Sequence, residues 1–154
     1  LGPIFENIFI NDSYASRVNK GTHKALIRFD KFKRKVSKNG QLITNALTTN
    51  HVKGYVLKAD IRHYFETVDH DILLSLIKEK IKDKKVLWLI KIILQNYDAK
   101  QEGKGMPLGN YTSQFFGNVY LNKFDYFVKN KLKAKYYLRY VDDIIIIHEN
   151  KAIL

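Results

Sequence analysis

The chain of 154 residues is long enough to bury the core of one domain and short for two. Its 45% hydrophobic and 13% aromatic content is typical of a folded globular domain, and no apolar run is long enough to predict a membrane span. The 27 basic and 15 acidic residues give a net charge of +12, which favours a polyanionic partner such as nucleic acid.

Cysteine is absent, and this excludes disulfides and thiolate metal sites. It is also compatible with a cytoplasmic or other intracellular location, where thiols stay reduced. The histidines never recur three or four residues apart, so a zinc site is not expected. The first ten residues lack the basic leader of a signal peptide, and the chain begins with Leu1, which suggests a piece of a longer protein.

The first third of the chain predicts one helix followed by a loop. Residues Thr22 to Val36 have the period of a basic amphipathic helix. Its predicted apolar side is formed by Leu26, Ile27, Phe29 and Phe32. Residues Ser37 to Lys53 are polar and contain Gly40 and three asparagines, so they are predicted to form a loop or a poorly ordered insertion.

Tyr55 to Ile61 alternates as a strand. Leu57, Ala59 and Ile61 are predicted to share the buried face, and Lys58 and Asp60 the other. Aspartate is depleted in strands, so Asp60 at the end of an apolar strand needs a reason. Taken alone, it is better explained as a solvated strand-end residue or a cap.

Helices dominate the middle of the chain. Asp69 is predicted to be the N-cap of a helix that runs to about Ile81, and Lys84 to Tyr97 predicts a second helix. Asp98 to Asn110, rich in glycine, is predicted to be a loop. Thr112 to Leu132 is predicted to be helical. Its apolar side would consist of Phe116, Val119, Tyr120, Phe124, Phe127 and Val128.

The C-terminal part predicts a β-hairpin. Lys135 to Tyr140 and Ile144 to His148 read as two strands joined through Val141, Asp142 and Asp143. The four consecutive isoleucines suit a strand that is buried on both faces. The order of elements predicts an α+β fold, in which an antiparallel sheet is backed by helices.

Two adjacent carboxylates at the tip of a buried strand repel each other, and a divalent cation removes that cost. Oxygen ligands suit Mg²⁺, and two such ions about 3.5–4 Å apart can activate a 3′-hydroxyl and stabilise a leaving pyrophosphate. Because successive side chains point to opposite faces, Asp142 and Asp143 cannot be equivalent. The alternative is an ordinary Asp-Asp turn in a hairpin.

Four segments, in this order along the chain, resemble the motifs of bacterial-type reverse transcriptases, the enzymes of group II introns, retrons and diversity-generating retroelements. The first is Asp12 to Arg17 with Lys20 to Leu26, and the second is Lys58 to Phe65. The third is Gly105 to Gln114, followed by Asn118 to Asn122 and Asp125, and the fourth is Tyr140-Val141-Asp142-Asp143. The resemblance covers nearly the whole chain. It implies a polymerase palm, the antiparallel sheet backed by helices, over residues 55–154 and part of the fingers over residues 1–54. The earlier fingers strands and the thumb would then lie outside this chain.

The resemblance also implies roles for individual residues. Asp60 and Asp142 would be the principal ligands of two Mg²⁺ ions, or of Mn²⁺, with the Ile61 carbonyl assisting and Asp143 completing the triad. Phe65 would be a steric gate against the ribose 2′-hydroxyl, and its alternative is a core residue. Gly109 and Gln114 would line the nucleotide site. Nucleic acid would be contacted by Arg17, Lys20, Lys24 and Tyr140.

The implied function is RNA-directed DNA polymerase, with an RNA template, a DNA or RNA primer and deoxynucleoside triphosphates, and with an accessory protein as a further candidate partner. Gly109 to Gln114 reads Gly-x-x-x-Ser-Gln, which resembles the diversity-generating enzymes that copy adenines with errors. Residues 1–154 alone are expected not to extend a primer. The alternatives are a catalytically silent nucleic-acid-binding remnant and another palm enzyme, such as a viral RNA-copying polymerase or a nucleotide cyclase.

Overall fold

The computed structural model describes residues 1–45, 48–96, 101–107 and 109–154. The helices are α1 (Gly2–Glu6), α2 (Thr22–Val36), α3 (Tyr64–Thr67), α4 (His70–Lys78), α5 (Lys84–Gln95) and α6 (Tyr111–Tyr126). A π-helical segment, Phe127–Lys131, continues α6, and a 3-10 turn spans Lys151–Ile153. The strands are β1 (Leu42–Asn45), β2 (Thr48–Val52), β3 (Tyr55–Ala59), β4 (Tyr136–Tyr140) and β5 (Asp143–His148). Among the described helices, none combines the length and the hydropathy needed to cross a membrane.

Three strands form the main sheet, in the order β3-β5-β4, and both pairings are antiparallel. β3 pairs with β5 from Tyr55↔His148 to Ala59↔Ile144. β4 and β5 form a hairpin that closes at Tyr140↔Asp143, so that Val141 and Asp142 make a two-residue turn. The predicted hairpin and the predicted α+β fold with an antiparallel sheet are confirmed.

The central strand β5 is covered on both faces, as its four isoleucines predict. Ile145 and Ile147 pack in a cluster with Phe32 and Val36 of α2. Ile144 and Ile146 pack on the opposite face, in a cluster that contains Val128 of the π-helical segment. Because side chains alternate along a strand, consecutive isoleucines serve both layers.

Side-chain caps explain where α4 and α5 begin. The Asp69 carboxylate accepts a hydrogen bond from the Ile72 amide at 3.0 Å. The Asp83 carboxylate accepts from the Lys85 amide at 2.8 Å and from the Val86 amide at 3.2 Å. Such caps satisfy amides that have no partner within the helix. Both predicted starts are confirmed. α4 ends at Lys78, before the predicted Ile81, and the predicted end of the next helix, Tyr97, lies outside the described residues.

The prediction of a loop over Ser37 to Lys53 is wrong, because β1 and β2 pair as an antiparallel two-stranded sheet in this region. The pairing runs from Leu42↔Val52 to Asn45↔Thr48, with an irregularity in the register between Ile43 and Asn45. The isoleucine, threonines and valine of these strands favour extended backbone. The interspersed asparagines and the short length hid that preference in the sequence.

The apolar sides predicted for two helices are wrong in part. On α2, Leu26 and Ile27 are 59% and 68% exposed, while Ala25, Phe32 and Val36 form the buried stripe. On α6 and its extension, Phe124 and Phe127 are 39% and 50% exposed. Their place inside is taken by polar side chains of α6, namely Ser113, Asn118 and Asp125. A hydrophobicity pattern cannot detect a buried face that is itself polar.

The segment that precedes α2 extends the sheet beyond β4. The Arg139 amide donates to the Asp12 carbonyl at 2.9 Å, and the Tyr14 amide donates to the Arg139 carbonyl at 3.0 Å. These bonds form an isolated parallel bridge between Ser13 and Arg139. The bridge holds the 12–17 segment beside the hairpin.

Candidate active site

The three predicted acidic residues lie at one end of the three-stranded sheet. Asp60 directly follows β3, Asp142 is the second residue of the hairpin turn, and Asp143 is the first residue of β5. The pairing of β3 with β5 reaches Ala59↔Ile144, so one further step of the same register places Asp60 opposite Asp143. Opposed residues of antiparallel strands have Cα atoms about 4.5–5.5 Å apart. The sheet therefore brings Asp60 together with the adjacent pair Asp142 and Asp143, which lies far from it in the chain.

Asp142 is the carboxylate on which burial and neighbouring charges act together. Burial raises the pKa of Asp142 above its usual value, and the negative charges of Asp60 and Asp143 raise it further. A hydrogen bond with its own backbone and the positive charge of Arg139 lower the same pKa in part. A raised pKa means that the ionised carboxylate is unfavourable in the folded chain. A cation beside Asp142 would remove that cost.

Lys58 supplies one positive charge at this end of the sheet. Its ammonium lies 3.2 Å from a carboxylate oxygen of Asp143, and both side chains are largely exposed. An exposed ion pair of this kind contributes little stability and is readily exchanged for other partners. Lys58 thus partly balances the charge of Asp143.

The donor atoms suit a hard divalent cation, although the carboxylates do not form a closed cage. Among the described residues, no three His, Asp or Glu side chains stand close enough together to hold an ion as they are. Carboxylate oxygens are nevertheless the ligands that Mg²⁺ prefers, and Asp60 is exposed and free to change rotamer. The Ile61 carbonyl accepts a hydrogen bond from the Tyr64 amide at 3.1 Å, which leaves its second lone pair for a metal.

A polar network with no solvent exposure lies beneath the hairpin turn. Arg139 and Asp125 are both 0% exposed and form a two-pronged ion pair, with N–O distances of 2.8 and 2.6 Å. The Tyr137 hydroxyl donates to the same carboxylate. One terminal nitrogen of Arg139 also donates to the Asn118 side-chain oxygen at 3.0 Å and to the Val141 carbonyl at 2.7 Å.

Arg139 was not among the site residues predicted from the sequence, and Asn118 and Asp125 were noted only as part of a motif. The signal was present in the pattern of the chain. Arg139 interrupts an apolar strand immediately before the Asp-Asp turn, and Asp125 and Asn118 lie seven residues apart on one helix. Residues at this spacing share a helix face, so two polar side chains on a buried face predict a common partner.

Phe65 lies beside the glycine-rich loop. Its carbonyl accepts a hydrogen bond from the Met106 amide at 2.6 Å, and the Val68 carbonyl accepts from the Gly105 amide at 2.8 Å. The His70 ring nitrogen contacts the Gly105 carbonyl at 2.6 Å, which ties the same loop to α4. The Phe65 ring is half-buried and meets the Tyr64 ring edge-on, with centroids 5.3 Å apart. Phe65 is thus partly a core residue and partly accessible.

Gly109 and Gln114 lie at the start of α6. Gly109 has a φ of 84°, and a Cβ at this position would meet nothing within 4 Å, so the backbone angle rather than lack of space favours glycine. Gln114 is half-buried, and its side-chain oxygen accepts a hydrogen bond from the Ser16 hydroxyl. The backbone amide of Gln114 donates to the Asn110 carbonyl at 3.3 Å. Gln114 therefore links α6 to the 12–17 segment.

The residues predicted to contact nucleic acid differ in how they are placed. The Arg17 side chain is 5% exposed, and its guanidinium is bonded to Glu6 and to the carbonyls of Ile10 and Ser13. The Arg17 guanidinium is thus occupied by bonds within the chain, and its contact with nucleic acid stays a prediction. Lys20 donates to Asn11 and lies 5.0 Å from the centre of the Tyr14 ring.

Lys24 and Tyr140 are more accessible than Arg17. Lys24 is exposed and donates to the Asn19 carbonyl at 2.7 Å. Tyr140 is half-buried, and its hydroxyl accepts from the Thr22 hydroxyl at 3.2 Å. Tyr140 also borders a groove of about 410 Å³ that includes Lys58 and Asp143. Tyr140 thus borders a groove together with a predicted metal ligand.

A basic cleft lies at the other end of the hairpin. It has a volume of about 310 Å³, and its wall includes Lys35, Lys38, Lys133 and Lys135 together with His148 and one acidic residue, Glu149. Phosphate groups are the ligands that such a concentration of lysine favours. The sheet therefore carries negative charge at one end and positive charge at the other.

Comparison with known proteins identifies relatives for nearly the whole chain. Residues 2–154 match the family model described as reverse transcriptase (RNA-dependent DNA polymerase). The chain is 29% identical to an uncharacterised 91 kDa protein in the cob intron of Schizosaccharomyces pombe, over 88% of this chain and 15% of that protein. It is 36% identical to the group II intron-encoded protein LtrA of Lactococcus lactis subsp. cremoris, over 53% of this chain and 14% of that protein. It is 28% identical to protein YkfC of Escherichia coli, over 85% of this chain and 32% of that protein.

Two solved structures have a similar fold. Apo telomerase from Candida tropicalis, truncated from its C-terminal domain, gives a TM-score of 0.59 at 16% identity, over 92% of this chain and 30% of that one. Telomerase from Candida albicans, in complex with a TWJ fragment of telomeric RNA, gives a TM-score of 0.62 at 9% identity, over 98% of this chain and 29% of that one. At these identities the likeness concerns the fold. The chain spans about a third or less of each of these proteins.

The same substitution, aspartate to asparagine, should have opposite effects on the free energy of unfolding at Asp142 and at Asp125. Asp142→Asn removes an ionised, half-buried carboxylate that Asp60 and Asp143 repel, so without metal it should raise the free energy of unfolding. Asp125→Asn leaves Arg139 buried without its counter-charge and should lower that free energy by about 3–5 kcal/mol. Urea denaturation at pH 7 in the presence of a chelator measures both. Equal destabilisation by the two variants would contradict this description of the site.

Proposed function

Because the chain belongs to the reverse transcriptase family, we propose that it forms the palm and part of the fingers of an RNA-directed DNA polymerase. Residues 1–54 would belong to the fingers and residues 55–154 to the palm. The observation that carries the proposal is the convergence of Asp60, Asp142 and Asp143 at one end of the sheet. The reaction would be template-directed transfer of a deoxynucleotidyl group to the 3′-hydroxyl of a primer.

Asp60 and Asp142 would hold Mg²⁺ or Mn²⁺, with the Ile61 carbonyl as a further oxygen ligand and Asp143 completing the set. When bound, the metal would activate the 3′-hydroxyl and stabilise the leaving pyrophosphate. The chain's own contribution is orientation, because paired strands carry Asp60 and Asp143 and a tight turn carries Asp142. Lys58 would release Asp143 when a cation takes over the balance of its charge.

The proposed partners are an RNA template, a DNA or RNA primer and deoxynucleoside triphosphates. The net charge of +12 supports nucleic acid in general, and the lysine-lined cleft offers a place for backbone phosphates. The similar fold of a telomerase in complex with telomeric RNA is consistent with an RNA partner. An accessory protein would be a further partner of the complete protein.

A nucleic-acid-binding chain without catalysis is the second candidate. It is favoured by the Lys58–Asp143 ion pair and by the open arrangement of the carboxylates among the described residues. The two candidates differ in what the carboxylates do. In a polymerase their loss lowers the rate of synthesis, whereas in a binding protein their loss strengthens the attraction of phosphate.

The decisive experiment is primer extension by the complete protein with Mg²⁺, deoxynucleotides and an RNA or a DNA template. Asp60→Asn and Asp142→Asn should each lower the rate by about two orders of magnitude, because each removes a charged group from the centre that stabilises the transition state. Asp143→Asn should lower it less.

Asp71→Asn, at an exposed position of α4, is the matched control and should keep full activity. Undiminished synthesis by Asp60→Asn would overturn the proposed metal site. Tighter RNA binding by Asp142→Asn, in a protein that never extends a primer, would favour the non-catalytic candidate.

A second prediction concerns the choice of sugar. If Phe65 is the wall against the ribose 2′-hydroxyl, Phe65→Ala should reduce discrimination against ribonucleotides by about 10- to 200-fold, the range expected for one hydrophobic contact. Competition between labelled ribonucleotides and deoxynucleotides in primer extension measures it. Phe65→Leu, which keeps most of the volume, should retain more selectivity. Unchanged selectivity in a folded Phe65→Ala protein would make Phe65 a core residue only.

A third prediction concerns fidelity, since we also propose error-prone copying of template adenines. The Gln114 amide would loosen the fit at the templating base, a contact worth about 1–3 kcal/mol. Gln114→Ala removes the side-chain amide and keeps the backbone bond to Asn110, which proline would break. Misincorporation should then fall more opposite adenine than opposite other bases, as sequencing of the cDNA measures. Gln95→Ala, at the exposed end of α5, is the control. Equal error spectra would remove the diversity-generating assignment.

A further inference from the structure

The turn that carries Asp142 has a backbone conformation that its residues do not favour. Val141 has a φ of 55°, in the left-handed region, although its side chain is β-branched and 8% exposed. In two-residue hairpin turns a positive φ at the first position usually belongs to glycine, asparagine or aspartate. A β-branched residue holds this conformation only when surrounding contacts impose it.

The contact that can impose it comes from Arg139. Its guanidinium donates to the Val141 carbonyl at 2.7 Å. This carbonyl and the Asp142 amide belong to one planar peptide group, so a bond to the oxygen restricts the orientation of the whole plane. The direction in which the backbone enters Asp142 is restricted with it.

The guanidinium is itself fixed by α6. Asp125 accepts from two of its nitrogens, and Asn118 accepts from the nitrogen that also reaches Val141. The Asn118 amide in turn donates to the Ala15 carbonyl at 2.7 Å. Three hydrogen bonds of the planar guanidinium are thus accepted by side chains of α6, which lies outside the hairpin. These bonds fix the orientation of the guanidinium.

One face of α6 thus serves two parts of the site. Gln114, Asn118 and Asp125 follow at intervals of four and seven residues, which places them on the same side of the helix. Gln114 contacts the 12–17 segment at one end of this face, and Asp125 fixes Arg139 at the other. The helix therefore relates the position of the 12–17 segment to the position of Asp142.

We propose that Arg139 is a positioning residue, which uses α6 as its support to hold the Val141–Asp142 peptide in the orientation that keeps Asp142 beside Asp60 and Asp143. The inference rests on the proposed function, because it assumes that this group of carboxylates binds metal. A purely structural ion pair would stabilise the fold without affecting the turn. The two roles can be separated, since a buried ion pair replaced by apolar residues of similar size often leaves stability unchanged.

The test is the triple variant Asp125→Leu, Tyr137→Phe, Arg139→Met in the isotope-labelled chain. It replaces the ion pair and the hydroxyl that serves it, so no charge is left buried alone. Thermal unfolding should remain cooperative with a melting temperature close to that of the unmodified chain. The Val141 Cα shift and its amide-to-α-proton coupling should move from left-handed towards extended values. Mn²⁺ affinity should fall about 10- to 100-fold, as for other residues that orient a metal ligand.

Arg139→Lys provides the conservative comparison. A lysine can keep a charge near Asp125 but cannot reach Asp125, Asn118 and the Val141 carbonyl together, so its turn and its Mn²⁺ affinity should be intermediate. A folded triple variant with an unchanged Val141 conformation would overturn the inference. So would a changed conformation with unchanged Mn²⁺ affinity. If the unmodified chain binds no Mn²⁺, the proposed function fails instead, and the Val141 signals still decide whether Arg139 holds the turn.

Discussion

The antiparallel pairing of β5 with both of its neighbours is the constraint on which the candidate site depends. β3 aligns Asp60 with Asp143, and β4 closes the two-residue turn that contains Asp142. A slip of one residue in either pairing would turn every side chain of that strand to the opposite face. It would also separate carboxylates that lie more than 80 positions apart in the chain. The buried isoleucines of β5 prevent such a slip, because they pack into both layers.

Charge is distributed differently at the surface and beneath it. The carboxylates at the end of the sheet repel one another, and burial adds to the cost of ionising Asp142. One layer below, Arg139 and Asp125 form an ion pair that is fully buried and fully hydrogen-bonded. Burying this pair is tolerable because each of its members has a partner of opposite charge. The mutually repelling carboxylates at the end of the sheet thus lie above a buried ion pair whose charges are balanced.

The sequence predicted the elements that have a clear period or cap. The alternation in β3, the capping aspartates Asp69 and Asp83 and the isoleucine run are local signals, so the main sheet and two helix starts followed from them. The β1–β2 pair was missed because its short strands are rich in asparagine. The polar part of the buried surface of α6 was missed because Asn118 and Asp125 are polar, and their burial depends on Arg139, which is distant in sequence. Polar side chains that become buried by hydrogen-bonding to a residue distant in sequence leave no periodic pattern in the sequence.

The charge of the whole chain and the charge of the site act in opposite directions on a polyanion. A net charge of +12 and a lysine-lined cleft attract a phosphate backbone, while the carboxylates at the far end of the hairpin repel it. If the carboxylates hold a cation, that repulsion becomes attraction, and phosphate can approach both ends of the sheet. Binding of metal and binding of nucleic acid would then favour each other, because each lowers the electrostatic cost of the other. A carboxylate cluster on a basic chain would thus admit phosphate only where a cation is present.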